Sequence, residues 1–526
     1  MKTSKNKIKA KAKARARAKI YAQAGTATAV KTRSSRIWNY LASGALCLLI
    51  FIAFLCFFSA IWYVNVYGRI GFDSVLYTLT SNLNGVQSDL VANFLVGSVV
   101  PTIVCSAVSC VLLLLLRRSK LGMKRWIPVC TGILVSMCLI CHAAFNVELV
   151  DYIISRCHNS SLFDTQYAAP DNVPITFPEQ KRNLIYIMLE SMETTYLSEA
   201  EGGGVDRNLI PELTRLAQDH VNFSQSAGIG GFQEVPGSGW TIGAMVAHTA
   251  GVPLKTPETL SDRYNGYGKD GVFLPGLTSL TNILHENGYY QALMVGSDVD
   301  FGGRGAYFRS HGIDKIYDLY TARNDGIVPK DYYVWWGMED KHLFDYARQE
   351  LLQMAAQDQP FAFTMLTVDT HHVGGYRCSL CGNDHAENYE DVIACSSRQV
   401  SDFVSWIQQQ DFYENTTVVI VGDHRTMDNG YISRNVDDAY TRRVYNCFIN
   451  AAARPAKEKD REFTTVDLFP TTLAAIGCDI EGNRLGLGVN LFSSAPTLAE
   501  IMGYDNFCTE VGKDSSYYYD HFFTAE

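Results

Sequence analysis

Asn183-Leu-Ile-Tyr-Ile-Met-Leu-Glu190-Ser191 is an unbroken apolar run that stops abruptly in a carboxylate and a hydroxyl. Far downstream, Thr416-Thr-Val-Val-Ile-Val-Gly-Asp423-His424 repeats the pattern and ends in a carboxylate and an imidazole. A continuous rather than alternating apolar run reads as a strand covered on both faces, as in a parallel sheet. In open α/β sheets ligands bind beyond the carboxyl ends of the strands. Glu190, Asp423 and His424 are therefore expected to converge on one cation. A third apolar strand, running into Val368-Asp-Thr-His371-His372, points the same way.

Working outward, strands are expected at 183–189, 289–296, 361–368 and 416–422. Helical patterns lie near 209–219, 241–250, 277–287, 340–356 and 395–409. This alternation predicts an α/β fold, a mostly parallel sheet with helices on both faces. Residues 148–182, broken by Pro170, Pro174 and Pro178, read as a connector ahead of a catalytic domain at 183–495. The polar, tyrosine-rich 496–526 reads as a tail.

Charge divides the chain. Residues 1–36 hold twelve Lys/Arg and no acid, and Arg117, Arg118, Lys120, Lys124 and Arg125 form a second basic cluster. Around them lie uncharged stretches at about 38–66, 90–116 and 126–147, each long enough to cross a bilayer. The expectation is a basic cytoplasmic tail (1–36) followed by a transmembrane region (37–147) of three helices. The positive-inside rule places both basic clusters in the cytoplasm and everything from about 148 outside it. The loop at 67–89, with Arg69, Asp73 and Asp89, also falls outside. A cleavable signal peptide fits poorly, because the first apolar segment starts late and two more follow. From residue 148 onward there are 27 Lys/Arg against 52 Asp/Glu, a balance that excludes nucleic acid as a partner.

Seven of the fourteen cysteines fall in the apolar stretches, where they act as small apolar residues. Among the rest, Cys378, Cys381 and Cys395 suggest one disulfide. A zinc site that includes His385 is the alternative, although the spacing fits no common zinc module.

Gly237-Ser-Gly-Trp240-Thr241 reads as a glycine-rich turn opening a helix. Unpaired N–H groups and the positive end of the helix dipole suit a phosphate there. Beside a divalent cation the Thr241 hydroxyl is a nucleophile candidate; alone it is equally a helix cap. Glu190 and Asp423 have the same modest alternative as caps of the elements that follow. Two carboxylates, an imidazole and a hydroxyl form a mixed O/N donor set suited to manganese or magnesium, with zinc as a further option.

These motifs, with Val235-Pro-Gly-Ser-Gly-Trp-Thr241, Val466-Asp-Leu-Phe-Pro470-Thr and Gly486-Leu-Gly-Val-Asn-Leu491, occur in an order that resembles the membrane phosphoglycerol transferases. The phosphoglycerol transferase I type, which decorates periplasmic glucans, is the nearer pattern; lipoteichoic acid synthases are more distant. Both fall in the alkaline phosphatase and sulfatase superfamily. The resemblance covers about 180–492. It implies that Glu190, Thr241, Asp423 and His424 ligate a metal, most readily Mn2+, and that Thr241 is the nucleophile. It also implies a phosphate-binding role for Arg304, in Gly302-Gly-Arg304-Gly-Ala-Tyr-Phe-Arg309. His372, with His371 and Trp240 beside it, is implied to meet substrate. A sulfatase would carry a Cys or Ser in a Cys/Ser-x-Pro-x-Arg setting, which is absent from the nucleophile region.

The expected function is metal-dependent transfer of phosphoglycerol from phosphatidylglycerol to an extracytoplasmic glycan or glycolipid hydroxyl, through a phosphothreonine-type intermediate. The alternatives are a phosphoethanolamine transferase, a sulfatase- or phosphodiesterase-type hydrolase, and a membrane-anchored glycan-binding pseudoenzyme.

Overall fold

The computed structural model describes residues 2–68, 71–80, 88–118, 124, 126–255 and 271–523. Arg69, Lys120 and Arg125 of the charge pattern lie outside the described residues. The chain divides into two units, Met1–Trp62 with Ala92–Phe145, and Tyr63–Val91 with Asn146–Glu526.

The three apolar stretches form helices, Tyr40–Tyr67, Leu90–Leu116 and Trp126–Asn146, each long and apolar enough to cross a membrane. The first continues from the basic segment as one helix, Lys2–Tyr67. Within the first unit, helices pair through small and polar contacts: Ser59 Oγ lies 2.8 Å from Ser98 Oγ, and Trp62 Nε1 donates to Asn93 Oδ1 at 2.9 Å. Such bonds hold helices together where no water competes.

The second unit is organised by a seven-stranded sheet. Its strands are β1 (Asn183–Leu189), β2 (Gly231–Phe232), β3 (Tyr290–Val295), β4 (Lys315–Tyr317), β5 (Phe361–Leu366), β6 (Thr416–Gly422) and β7 (Val444–Ile449). Their spatial order is β2-β7-β6-β1-β5-β3-β4. The five strands β6-β1-β5-β3-β4 are parallel, whereas β7 runs antiparallel to β6 and β2 antiparallel to β7.

Both faces are covered. Leu184, Tyr186 and Met188 of β1 enter one core with the helices α2 (Thr241–Ala250), α3 (Leu280–Glu286) and α6 (Leu468–Ala475). Ile185, Ile187 and Leu189 enter the other, with α1 (Pro211–Asp219), α4 (Asp340–Ala355) and α5 (Asn388–Gln408). Successive residues of a strand point to opposite faces, so a strand with helices on both sides must be apolar throughout. That is why the quoted runs do not alternate.

Three short or interrupted strands were not expected. In β7 the run is broken by Asn446, whose buried amide is satisfied by bonds from Nδ2 to Phe223 O (2.9 Å) and from Phe223 N to Oδ1 (3.0 Å). β5 ends at Leu366, two residues before the expected boundary, and α5 begins at Asn388, ahead of the expected 395.

The segments read as connector and tail are built into the domain. Leu162 and Phe163 are buried in the first core beside Phe507, Tyr518 and Phe522. Ile175–Thr176 pairs antiparallel with Asp479–Ile480. The prolines limit regular structure in 148–182 without freeing it from the core.

The disulfide expected among Cys378, Cys381 and Cys395 is not formed. All three are free thiols, with Cys378 Sγ 3.8 Å from both Cys381 Sγ and Cys395 Sγ.

Candidate active site at the strand ends

Parallel register does the first work. Leu189 of β1 is paired with Gly422 of β6, and Met188 with Leu366 of β5. The residues that follow, Glu190, Asp423 and Thr367, therefore leave the sheet side by side. Asp423 N donates to Leu189 O (3.1 Å) and Glu190 N to Thr367 Oγ1 (2.9 Å). Gly422 is required here, because a Cβ would meet Met192 O at 2.1 Å.

Glu190, Asp423 and His424 are buried, and a donor atom of each lies within 4.8 Å of the others. His424 Nε2 is 3.2 Å from Asp423 Oδ2 and 3.8 Å from Glu190 Oε1. Each of the three side chains is held by hydrogen bonds of its own. Asp423 Oδ1 accepts from Ser191 N (2.9 Å) and His424 N (2.7 Å), and Glu190 Oε1 accepts from Ser191 Oγ (2.7 Å). His424 Nδ1 donates to Arg425 O (2.8 Å), which directs Nε2 toward the carboxylates, the arrangement that orients a metal-binding histidine.

Asp423 Oδ2 is buried and has no hydrogen-bond partner among the described residues, a costly condition unless a charge meets it. Burial, and then Glu190, push Asp423 up to about 7. Burial pulls His424 down, but Asp423 and Glu190 together outweigh it and carry the imidazole up to about 9. The cluster thus demands positive charge. A divalent cation fits that demand and the O/N donor set.

Thr241 lies beside this group. The turn before it needs glycine: Gly237 has φ +88, and a Cβ there would lie 2.6 Å from Leu254 O. Trp240, in extended conformation, occupies the N-cap position of α2 and makes no side-chain cap bond. Thr241 is the first helical residue, so its hydroxyl is not the cap. Its Oγ1 instead lies 3.5 Å from His424 Nε2. Thr241 is only half-buried, unlike the three donors behind it. The half-buried Trp240 ring lies back over its own helix, so that a Cβ on Gly243 would come within 3.1 Å of its Cε2.

Arg304 is buried, donating through Nε to Phe301 O (3.0 Å) and through Nη2 to Ser297 Oγ (2.9 Å) and Asp298 O (2.6 Å). These bonds fix the guanidinium at the head of helix Arg304–Ser310. His371 and His372 stack with ring centroids 4.4 Å apart, and Trp336 packs on His371 at 4.3 Å. Burial lowers His371 to about 4, and the charges of His424 and Arg304 add to the effect. Burial, with His371 and His424, holds His372 well below the usual histidine range. Both rings are therefore neutral near pH 7, and His424 is among the charges that act on each.

Several contributors escaped the sequence reading. Glu234, just before the glycine turn, accepts from Arg425 N (2.6 Å) and Nε (2.7 Å), tying the segment that leads to Thr241 to the residue after His424. Asp340 accepts from Val368 N (2.7 Å) and Asp369 N (3.2 Å), bracing the loop that carries the histidine pair. Tyr67, in the same unit, sets its ring edge-on to His372 at 5.0 Å. Only the position of Glu234 and Arg425 beside the quoted motifs offered a signal.

The chain belongs to the Sulfatase family, whose model matches residues 182–478. It is similar to a phosphoglycerol transferase I of Xanthomonas campestris pv. campestris, 33% identical over 332 residues that make up 62% of this chain and 45% of the relative. It is also similar to a phosphoglycerol transferase I of Escherichia coli O6:K15:H31, 27% identical over 82% of this chain and 54% of the relative. The chain spans about half the length of these curated relatives. Among solved structures, the lipoteichoic acid synthase LtaP from Listeria monocytogenes aligns at TM-score 0.46 and 19% identity, covering 61% of this chain and 79% of LtaP. The phosphoethanolamine transferase EptA from Neisseria meningitidis aligns at TM-score 0.47 and 12% identity, covering 82% and 84%.

Proposed function

We propose that this protein is a multi-pass membrane phosphotransferase that moves phosphoglycerol from phosphatidylglycerol to an extracytoplasmic glycan hydroxyl. The observation that carries the reading is the approach of Thr241 Oγ1 to His424 Nε2, 3.5 Å, beside two buried carboxylates. A half-exposed hydroxyl is thereby set against a donor set that demands a cation. The names of the relatives support phosphoglycerol as the group transferred. The basic segment at 1–36 supports a cytoplasmic N-terminus and a catalytic domain on the opposite side.

Glu190, Thr241, Asp423 and His424 would hold the metal, manganese by preference, which when bound supplies positive charge that acidifies a hydroxyl and neutralises phosphate. Thr241 Oγ gives up its proton and attacks phosphorus in line, the phosphorus–oxygen bond to diacylglycerol breaks, and that proton passes to the departing oxygen, so diacylglycerol leaves as the alcohol. Phosphoglycerol remains esterified to Thr241. The acceptor hydroxyl then attacks the same phosphorus, losing its proton to neutral His372, and the Thr241 ester breaks as His372 returns that proton to the Thr241 oxygen, restoring the hydroxyl. Arg304 holds the non-bridging oxygens with a guanidinium already oriented by its loop. A membrane anchor suits a donor that never leaves the bilayer.

Incubation of the solubilised full chain with phosphatidylglycerol, without acceptor, tests this directly. The expected result is a mass gain of glycerophosphate on the peptide that contains Trp240-Thr241. Undiminished product formation by Thr241→Ala would overturn the mechanism. An adduct formed from phosphatidylethanolamine and not from phosphatidylglycerol would overturn the donor and leave the chemistry standing.

A further inference from the structure

Beyond the strand-end site, one cluster of metal-capable side chains remains among the described residues: Cys378, Cys381 and Cys395, whose sulfurs all lie within 4.8 Å of one another. Cys378 and Cys395 are buried and Cys381 half-buried. We propose that these three cysteines form a second metal site, made of thiolates, that takes zinc and fastens the histidine loop to α5.

The geometry of the sulfurs is the first argument. Zinc–thiolate bonds are about 2.3 Å and tetrahedral, which sets neighbouring sulfurs about 3.8 Å apart. Cys378 Sγ stands 3.8 Å from each of the other two. The second argument is the backbone around them. Cys378-Ser-Leu-Cys381 closes a tight turn, with Cys381 N donating to Cys378 O (3.2 Å) and Leu380 N to Cys378 Sγ (3.4 Å). An N–H aimed at sulfur stabilises the thiolate, the form that binds metal. Gln399 Nε2 donates to Cys395 Sγ (3.4 Å) in the same way.

Lys341 Nζ, which pairs with Glu339 at 2.9 Å, also reaches Ser379 Oγ inside the turn at 3.0 Å. His385 is engaged by Asp391, Nδ1 to Oδ1 at 2.9 Å, and stands outside the sulfur group. The fourth position therefore falls to water or a small exogenous ligand. Binding replaces thiol protons with metal–sulfur bonds and releases the protons to solvent, so no oxidant is required.

The placement gives the site a purpose. The turn follows directly on His371 and His372, and that loop is tied back through Gly375 N to His371 O (3.1 Å) and Tyr376 N to Asp369 O (2.6 Å). Cys395 belongs to α5, which packs in the second core. A metal spanning the turn and the helix pins the loop at its far end.

The test uses the full chain purified in detergent without reductant or chelator. Elemental analysis is expected to find one zinc per chain that Cys381→Ser and Cys395→Ser lose, while the metal held by the strand-end site is retained. Cobalt substitution of the wild type is expected to give thiolate-to-cobalt charge-transfer absorption that Cys381→Ser abolishes. Cys381 is half-buried at a turn, so its serine variant keeps the fold if Cys395→Ser does not. Unchanged zinc content in both variants would overturn the proposal. So would a disulfide joining any two of these cysteines in the wild-type peptide map.

Discussion

The two metal-capable clusters of this molecule differ in donor chemistry and in what holds them. Glu190, Asp423 and His424 follow directly on buried parallel strands, and their remaining atoms are fixed by Ser191 and by backbone groups. Cys378, Cys381 and Cys395 sit on a turn and a helix, and the sulfurs are held mainly by one another. The sheet builds the first cluster whether or not a cation is bound, so its geometry is preorganised. The second depends on its own ligation. The first should thus fail in chemistry when altered, and the second in local order.

The sharpest break of that comparison is Thr241→Ala. Removal of the proposed nucleophile is expected to lower turnover by about a thousandfold or more, with the fold intact and no adduct detectable by intact mass. Asp423→Ala or His424→Ala should lose both metal retention and turnover, measured by elemental analysis and product formation, while circular dichroism stays unchanged. A variant that keeps normal metal and activity would show that the strand ends do not converge on a cation.

Arg304→Lys comes next. The guanidinium is held by three bonds through Nε and Nη2, a fork that a lysine ammonium cannot reproduce. A loss of about ten- to a hundredfold in kcat/KM is expected, with metal content unchanged. Retained activity would assign Arg304 to loop structure alone.

How far the sequence revealed this site follows from where information resides along a chain. Strands covered on both faces must be apolar throughout, so β1, β5 and β6 were legible, and the residues that follow them came with them. The side-by-side placement of Glu190 and Asp423 was legible because parallel register aligns strand ends. What stayed hidden rests on long-range pairing. Glu234 reaches Arg425 only after the sheet has formed, and β7 is masked by Asn446, whose partners are Phe223 and Gly230. Thr241 was open between cap and nucleophile because a hydroxyl at a helix start looks the same in both roles. The backbone places Trp240 at the cap position. The packing of 496–526 was not legible because tyrosines that look polar in sequence bury their rings: Tyr518 packs edge-on to Phe163 at 5.4 Å.

A smaller effect concerns pH. His371 has its folded-state value lowered to about 4 from 6.5, so protonation is disfavoured in the folded chain. The stability tied to the neutral ring is complete above 6.5 and is lost as pH falls from there through 4. His371→Gln keeps a donor for His372 O, which His371 Nδ1 now meets at 2.7 Å, and removes the titration. Its thermal midpoint is expected to fall less than wild type between pH 6.5 and 4. Parallel curves would mean that other groups carry the acid sensitivity.

The smallest expected effect separates a threonine that caps from one proposed to react. Thr497 is the N-cap of the helix Leu498–Met502: its Oγ1 accepts from Glu500 N (3.0 Å), and Glu500 Oε2 accepts from Thr497 N (2.8 Å). Thr497 Oγ1 also donates to Glu462 O (2.5 Å), and Glu500 pairs with the fully buried Arg461 at 2.9 Å. The box therefore closes the C-terminal segment against the domain. Thr497→Ala should cost about 1–2 kcal/mol, a fall of about 1–3 °C in the thermal midpoint of a domain this large, with kcat unchanged. Thr241→Ala should show the reverse, little loss of stability and near-total loss of turnover, because Thr241 lies one residue inside its helix and its hydroxyl faces His424. If both variants lost stability and both kept activity, the two threonines would share one structural role, and the hydroxyl at the strand-end cluster would need another explanation.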